Sequence, residues 1–307
     1  MARLNTLTAP LQNLLRDWIV GVLQRDSGVP IEYDLPVGDR GLFGPQSVTW
    51  RIHADFPGMM AGGVAALMLQ TLHPLALAGV WDHSTFRTDI LGRLRRTTAF
   101  VAGTTFAPTA EAERLIAMVR GIHRKVRGTA PGGQRYSAMN GDLLTWVHCT
   151  EMSSFLAGYQ FYRGIELPQS VQDRYLAETA LVARALGAKK VPASQAEMLG
   201  YFESVQAELE LSERSQAVLQ VLAAIRLPIP FSQPARGLFL GAGAALLPPW
   251  ARQKLRFSRI EQARHKTAAL TLKQLAPLLR AALRDGVAAK ACRRVGIDYA
   301  ELSHKPF

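Results

Sequence analysis

The chain is poor in cysteine. It has two, Cys149 and Cys292, far apart and without a Cys-x-x-Cys spacing. That argues against a disulfide framework and a cysteine-based zinc site, and it fits a reducing, cytoplasmic setting. Acidic residues are also short: 24 Asp and Glu face 36 Lys and Arg, a formal charge of +12. The basic residues are scattered, with short clusters at Arg93, Arg95, Arg96 and around Arg120 to Arg127. No RNP, zinc-finger or basic-zipper pattern accompanies them, so a nucleic-acid partner is not expected. Anionic ligand groups and an anionic membrane surface, bound peripherally, are the remaining targets of the charge.

Long apolar runs are few. Phe56 to Val80 reaches the length of a bilayer span, but Gln70, His73 and Pro74 interrupt it, and the His-Pro step disfavours a straight helix. Leu238 to Leu247 is too short to span. Both read as buried core helices. Residues Met1 to Gln24 lack a secretory apolar core and read as an amphipathic helix. Gly241-Ala242-Gly243 lacks a third glycine and a preceding strand, which excludes a dinucleotide fingerprint. Strand-like alternation is nearly absent.

What the chain does have is helical periodicity over 307 residues, 48% of them apolar and 20% charged. The expectation is an all-α fold, one large multi-helix domain. Residues 1–37 form an N-terminal helix and loop, 38–257 the main helical domain, and 258–307 a helical extension packed on it. Helices are expected at Leu11 to Gln24, Val48 to Ala54, and Pro57 to about Leu72. A short apolar turn should follow Pro74. Ser84 or Thr85 should cap the next helix, which fades before Gly103. Another opens at Pro108, and a long one begins at Ser137 or Asn140. Helices continue to Leu272–Leu283, and the tail from Cys292 reads as irregular.

Of seven histidines, His265 and His304 lie in basic or terminal contexts and read as solvent-facing. The other five are His53, His73, His83, His123 and His148. His123 shares a helical face with Val119 and Val126, and Arg120, Arg124 and Arg127 flank it. An inward imidazole beside apolar side chains suits an axial metal ligand. The same pattern also fits a buried histidine behind a solvated basic face. Arg93, Arg96 and Thr97 lie on one side of their helix at offsets of three and four. Two guanidiniums near an inward face require anions: cofactor or substrate carboxylates, or the local Asp82 and Asp89. His148 and Glu151 stand at i, i+3. A di-iron site needs Glu-x-x-His twice, so this single His-x-x-Glu does not make one.

The ordered elements His73-Pro74, Asp82-His83-Ser84, Arg93-x-x-Arg96-Thr97, Ile122-His123-x-x-Val126-x-Gly128, Tyr136 and Trp146-Val147-His148 resemble one family. It is the catalytic domain shared by latex-clearing rubber oxygenases and the MpaB oxygenase. Leu246-Leu247-Pro248-Pro249-Trp250 also fits, and the resemblance runs from about Gly38 to about Phe257. It implies an all-α fold enclosing a b-type haem between helices, and a haem-dependent oxygenase using dioxygen on an apolar, lipid or isoprenoid-like substrate. The missing Cys-x-x-Cys-His motif agrees with haem held without covalent attachment. His123 maps onto the proximal iron ligand. Arg93, Arg96, Thr97 and Arg127 map around the cofactor, and Arg93, Thr97, Asp82 and His83 are the candidate catalytic residues.

Two departures matter. Arg96 stands where rubber oxygenases can place an axial lysine, and a guanidinium is a poor iron ligand. Around Leu77, where those enzymes carry a glutamate, none is present. The rubber-cleaving mechanism therefore does not transfer intact. A non-catalytic haem carrier or sensor, and a cofactor-free basic helical module binding an anionic membrane surface or nucleic acid, are the alternative readings.

Overall fold

The computed structural model describes residues 13–22 and 31–304. Residues 13–22 are helical (α1); the rest of the expected first helix lies outside the described residues. Helices then run in order: α2 Val48–His53, α3 Phe56–Gln70, α4 Pro74–His83, α5 Ile90–Phe106 and α6 Thr109–His123. A small antiparallel hairpin follows, β1 Arg127–Thr129 and β2 Arg135–Ser137, with Gly128 opposite Tyr136. Next come α7 Gly141–Arg163, α8 Gln169–Leu186, α9 Gln195–Val205, α10 Glu213–Ala223 and α11 Ser232–Leu246. The chain closes with α12 Pro249–Lys254, α13 Arg259–Ala282, α14 Val287–Arg294 and α15 Tyr299–His304. The protein is all-α, as expected.

Capping chemistry explains most boundaries. Asp55 accepts from Gly58 N to start α3, with Pro57 in the first turn. Asp89, not Ser84 or Thr85, caps α5. Asn140 caps α7, and Gly164 ends it in the left-handed conformation. Ser258 and Glu261 form a capping box that starts α13 well before Leu272.

The core is a seam between α3 and α7. Gly58 and Gly62 on α3 lie against Gly158 and Ser154 on α7. A Cβ on Gly62 would stand 2.6 Å from the Ser154 carbonyl oxygen, so the backbones touch where a side chain would separate them. Around the seam, Leu69, Leu72, Trp146, Leu156, Tyr175 and Leu176 pack with almost no exposure. Helices α11 and α13 cover the other face of α3. Asp55 is fully buried; it accepts from Arg280 Nε at 2.7 Å and pairs with Arg163 Nε at 2.7 Å, joining α3, α7 and α13.

Several local expectations are corrected. The segment after Pro74 is a ten-residue helix, because Pro74 opens it at the first position and Leu77 and Ala78 bury against the core. Helix α5 runs through Gly103 to Phe106, since Leu115 of α6 occupies the place a Cβ would take. The tail is helical: Ala288, Ala291 and Cys292 bury against Trp50 and Phe106, and Arg294 donates to the Tyr33 and Asp39 carbonyls. His265 is half-buried, stacked edge-on against Phe257 at 4.9 Å, and His304 lies outside the described side chains. No single described helix is long and apolar enough to cross a membrane. The pair α3 and α4, bent by 102°, passes by length and composition only.

Candidate functional site

Helices α5 and α6 form a hairpin with a two-residue link, Ala107 and Pro108. Asp39 receives the Thr109 N–H and hydroxyl at the start of α6. The contact between Gly103 and Leu115 fixes the register. From there, Arg93 lies back along α5 by about 15 Å and His123 forward along α6 by about 12 Å, at a 1.5 Å rise per residue. The two residues therefore reach the same end of the hairpin.

His123 is the last residue of α6 and is half-buried. Its Nδ1 is enclosed and has no hydrogen-bond partner among the described residues. Burial lowers its pKa below the ordinary histidine value, so the ring is neutral at neutral pH and keeps a lone pair. Arg120, one turn earlier, donates to the Ala185 carbonyl at 3.1 Å and ties α6 to the end of α8.

The two expected guanidiniums differ. Arg96 is exposed and pairs with Asp89 at 3.4 Å, with Thr85 Oγ1 at 3.3 Å. Arg93 is partly buried and has neither an acid nor a hydrogen-bond partner among the described side chains. Burial, then the neighbouring Arg96 charge, depress its pKa. Thr97 donates to the Arg93 carbonyl at 3.2 Å. It keeps an accessible face although Leu94 and Val101, three and four residues away, both reach core clusters.

Asp82, His83 and Arg127 gather elsewhere, where the β-hairpin docks on α4. Tyr136 donates to Asp82 Oδ2 at 2.6 Å, and Arg214 of α10 stands 3.7 Å from Oδ1. His83 Nε2 lies 3.2 Å from the Arg127 carbonyl and meets the Tyr136 ring edge-on. Arg127 itself is exposed. These residues fix the hairpin that begins four residues after His123.

A third group lies deep inside. His53 Nδ1 is 2.8 Å from Thr105 Oγ1, and its Nε2 is 2.9 Å from the Tyr175 hydroxyl. The Thr105 hydroxyl donates to the Val101 carbonyl at 2.7 Å, so it accepts from Nδ1–H, and Tyr175 donates to Nε2. Burial drives the His53 pKa down to about 3, with a smaller contribution from His148. His148 is buried, its Nε2 has no partner, and its pKa is lowered to about 4 by burial and then by Arg184. Glu151 is half-buried, and desolvation raises its pKa to about 7 against a lowering hydrogen bond from Gln70. The His-x-x-Glu spacing marked two of these residues in the sequence. His53, Gln70 and Tyr175 come from other helices and carry no local signal. No group of three or more His, Cys, Asp or Glu among the described residues is arranged to hold a metal ion.

Residues 50–281 match the family profile described as ER-bound oxygenase mpaB/B'/Rubber oxygenase, catalytic domain. The chain belongs to this family. Comparison with curated proteins and with solved structures gave no match. The family match spans α2 to the end of α13, which holds the seam, the α5–α6 hairpin and all three polar groups. An oxygenase-type enzyme with a small-molecule substrate and dioxygen is the coarse reading that membership carries.

Proposed function

We propose that the chain is a haem b-dependent oxygenase-like enzyme that acts with dioxygen on an apolar substrate, lipid or isoprenoid-like in character. The observation that carries this reading is the position, at the same end of the α5–α6 hairpin, of His123, whose buried Nδ1 has no partner among the described residues, and of Arg93, whose guanidinium has none among the described side chains.

The residues suit the group. A b-type haem needs a neutral imidazole for iron and cations for its two carboxylates. His123 would supply the ligand, and Arg93 the first cation. Arg96, one turn along α5, and Arg127, four residues after His123 at the start of β1, would be further cations, and Thr97 supports the Arg93 turn through its backbone. When bound, haem would supply the iron that activates dioxygen, while the protein orients the substrate and limits water. Arg96 is engaged with Asp89 and, as a guanidinium, would not bind the iron. Asp82 and His83, at the end of α4 where the hairpin docks, are the proposed polar groups at the outer edge of this site.

The test is optical. Protein produced with adequate haem supply should show a Soret band, which His123→Ala should abolish or strongly shift. A colourless protein that cannot be reconstituted with haem would overturn the reading. A Soret band with no oxygen uptake across a broad panel of unsaturated lipids would turn it towards a carrier or sensor.

A further inference from the structure

The positive charge of this chain is concentrated. Residues 214–284, from Arg214 on α10 to Arg284 just after α13, hold twelve Lys and Arg and one acid, Glu261. The remaining residues hold twenty-four Lys and Arg against twenty-three acids, so almost the whole excess lies in this one segment. Two of the twelve cations are consumed internally, Arg214 on Asp82 and Arg280 on Asp55. Glu261 is turned to the start of α13, where it accepts from the Ser258 N–H and hydroxyl.

Helix α13 brings part of this excess to one surface. Ala269, Leu272, Ala276 and Leu279 form its buried side, packed on α11 and α3. On the opposite side Ile260, Ala263, Thr267, Leu270 and Gln274 recur at offsets of three, seven, ten and fourteen, and all five are exposed. Ile260 is 67% and Leu270 48% accessible. At about 100° per residue, Arg264 stands on one flank of this stripe, and Arg259 and Lys266 stand on the other. These three cations are exposed, and none makes an ion pair among the described residues. The outer face of α13 is therefore an uncharged stripe with two large aliphatic side chains, edged by cations on both sides and free of acids.

We propose that this face lays α13 flat on an anionic bilayer surface, with Arg259, Arg264 and Lys266 meeting lipid phosphates and Ile260 and Leu270 entering the boundary between headgroups and acyl chains. The proposal goes beyond the oxygenase reading and does not rest on haem. Charge selects the occupant. A second copy of the chain would set the same cations against one another, and like charges at an interface oppose association. A nucleic acid would satisfy the cations but leave Ile260 and Leu270 against phosphate and water, and the stripe carries no aromatic ring on which a base could stack. A bilayer with anionic lipids answers both parts. Its negative surface potential attracts the cations, and its interface buries the aliphatic side chains.

The test is co-sedimentation of the purified full-length protein with vesicles of phosphatidylcholine alone and of phosphatidylcholine mixed with phosphatidylglycerol. The protein should partition to the mixed vesicles, stay in solution with the neutral ones, and be largely released at about 0.5 M salt. Arg264→Gln combined with Lys266→Gln should weaken binding about thirtyfold, at about fivefold per cation near an anionic surface. Ile260→Ser combined with Leu270→Ser should weaken it about tenfold, the size of partly burying two aliphatic side chains. All four positions face solvent, so circular dichroism should be unchanged in both variants. Equal partition to neutral and mixed vesicles, no partition to either, full binding retained by the double glutamine variant, or duplex DNA displacing the protein from the vesicles at matched phosphate would each overturn the proposal. Sedimentation needs neither haem nor turnover: vesicle binding without a Soret band sinks only the haem reading, and a Soret band without vesicle binding sinks only this proposal.

Discussion

His53 and Tyr175 are bound at 2.9 Å, with the hydroxyl donating to the imidazole Nε2. The bond locks one tautomer, because Nδ1–H is already given to Thr105. Tyr175→Phe removes the donor and leaves a buried nitrogen without a partner. It should destabilise the fold by about 1–3 kcal/mol, read by urea unfolding.

Acid should weaken the protein through its buried histidines. His53, His73 and His148 have folded pKa values lowered to about 3, 4 and 4, chiefly by burial. In the unfolded chain each binds its proton near pH 6.5. Their stabilising contribution is whole above that pH and is lost as pH falls towards 4. By about pH 5 the loss should be roughly 2 kcal/mol for each histidine. Denaturation midpoints across this range check it, and a flat profile would refute it.

Glu151 works in the opposite direction. Its folded pKa of about 7 lies above its unfolded value, so its contribution is present below about pH 4.5 and lost as pH rises through 7. Glu151→Gln should gain roughly 2 kcal/mol over the wild type between about pH 5 and pH 8.

Replacing Arg93 should separate stability from binding. The guanidinium is desolvated and unpaired among the described residues, so Arg93→Met should raise stability of the ligand-free protein by roughly 1–2 kcal/mol. The same change should weaken haem retention if Arg93 meets a carboxylate. Thermal unfolding and haem titration, run side by side, read the two effects.

The Asp55 node should be intolerant. Asp55→Ala strands Arg163 and Arg280 and removes the α3 cap, at a cost of about 3–5 kcal/mol. Loss of soluble protein or a collapsed melting temperature would register it.

Much of the fold was legible because helical periodicity and caps are local signals. Asn140 and Ser258 sit where a capping residue is expected to sit. Gly103 misled because a glycine reads as a break until Leu115, on another helix, is known to fill its place. The helical tail was hidden for a related reason: Cys292 and Ala291 bury only against Trp50 and Phe106, far away in sequence. In the candidate site, the inequality of Arg93 and Arg96 depends on Asp89 taking one and not the other, which spacing alone does not decide. Glu151 was visible as half of a His-x-x-Glu pair, but its setting beside Gln70 of α3 is tertiary.

The α3–α7 seam constrains how relatives of this chain can diversify. Where backbones meet through Gly58, Gly62 and Gly158 there are no rotamers to rearrange, and a larger residue forces the two helices apart. Changes in ligand preference must therefore accumulate away from this seam, where side chains rather than backbones meet. The seam acts as a fixed jaw against which the variable one is tuned.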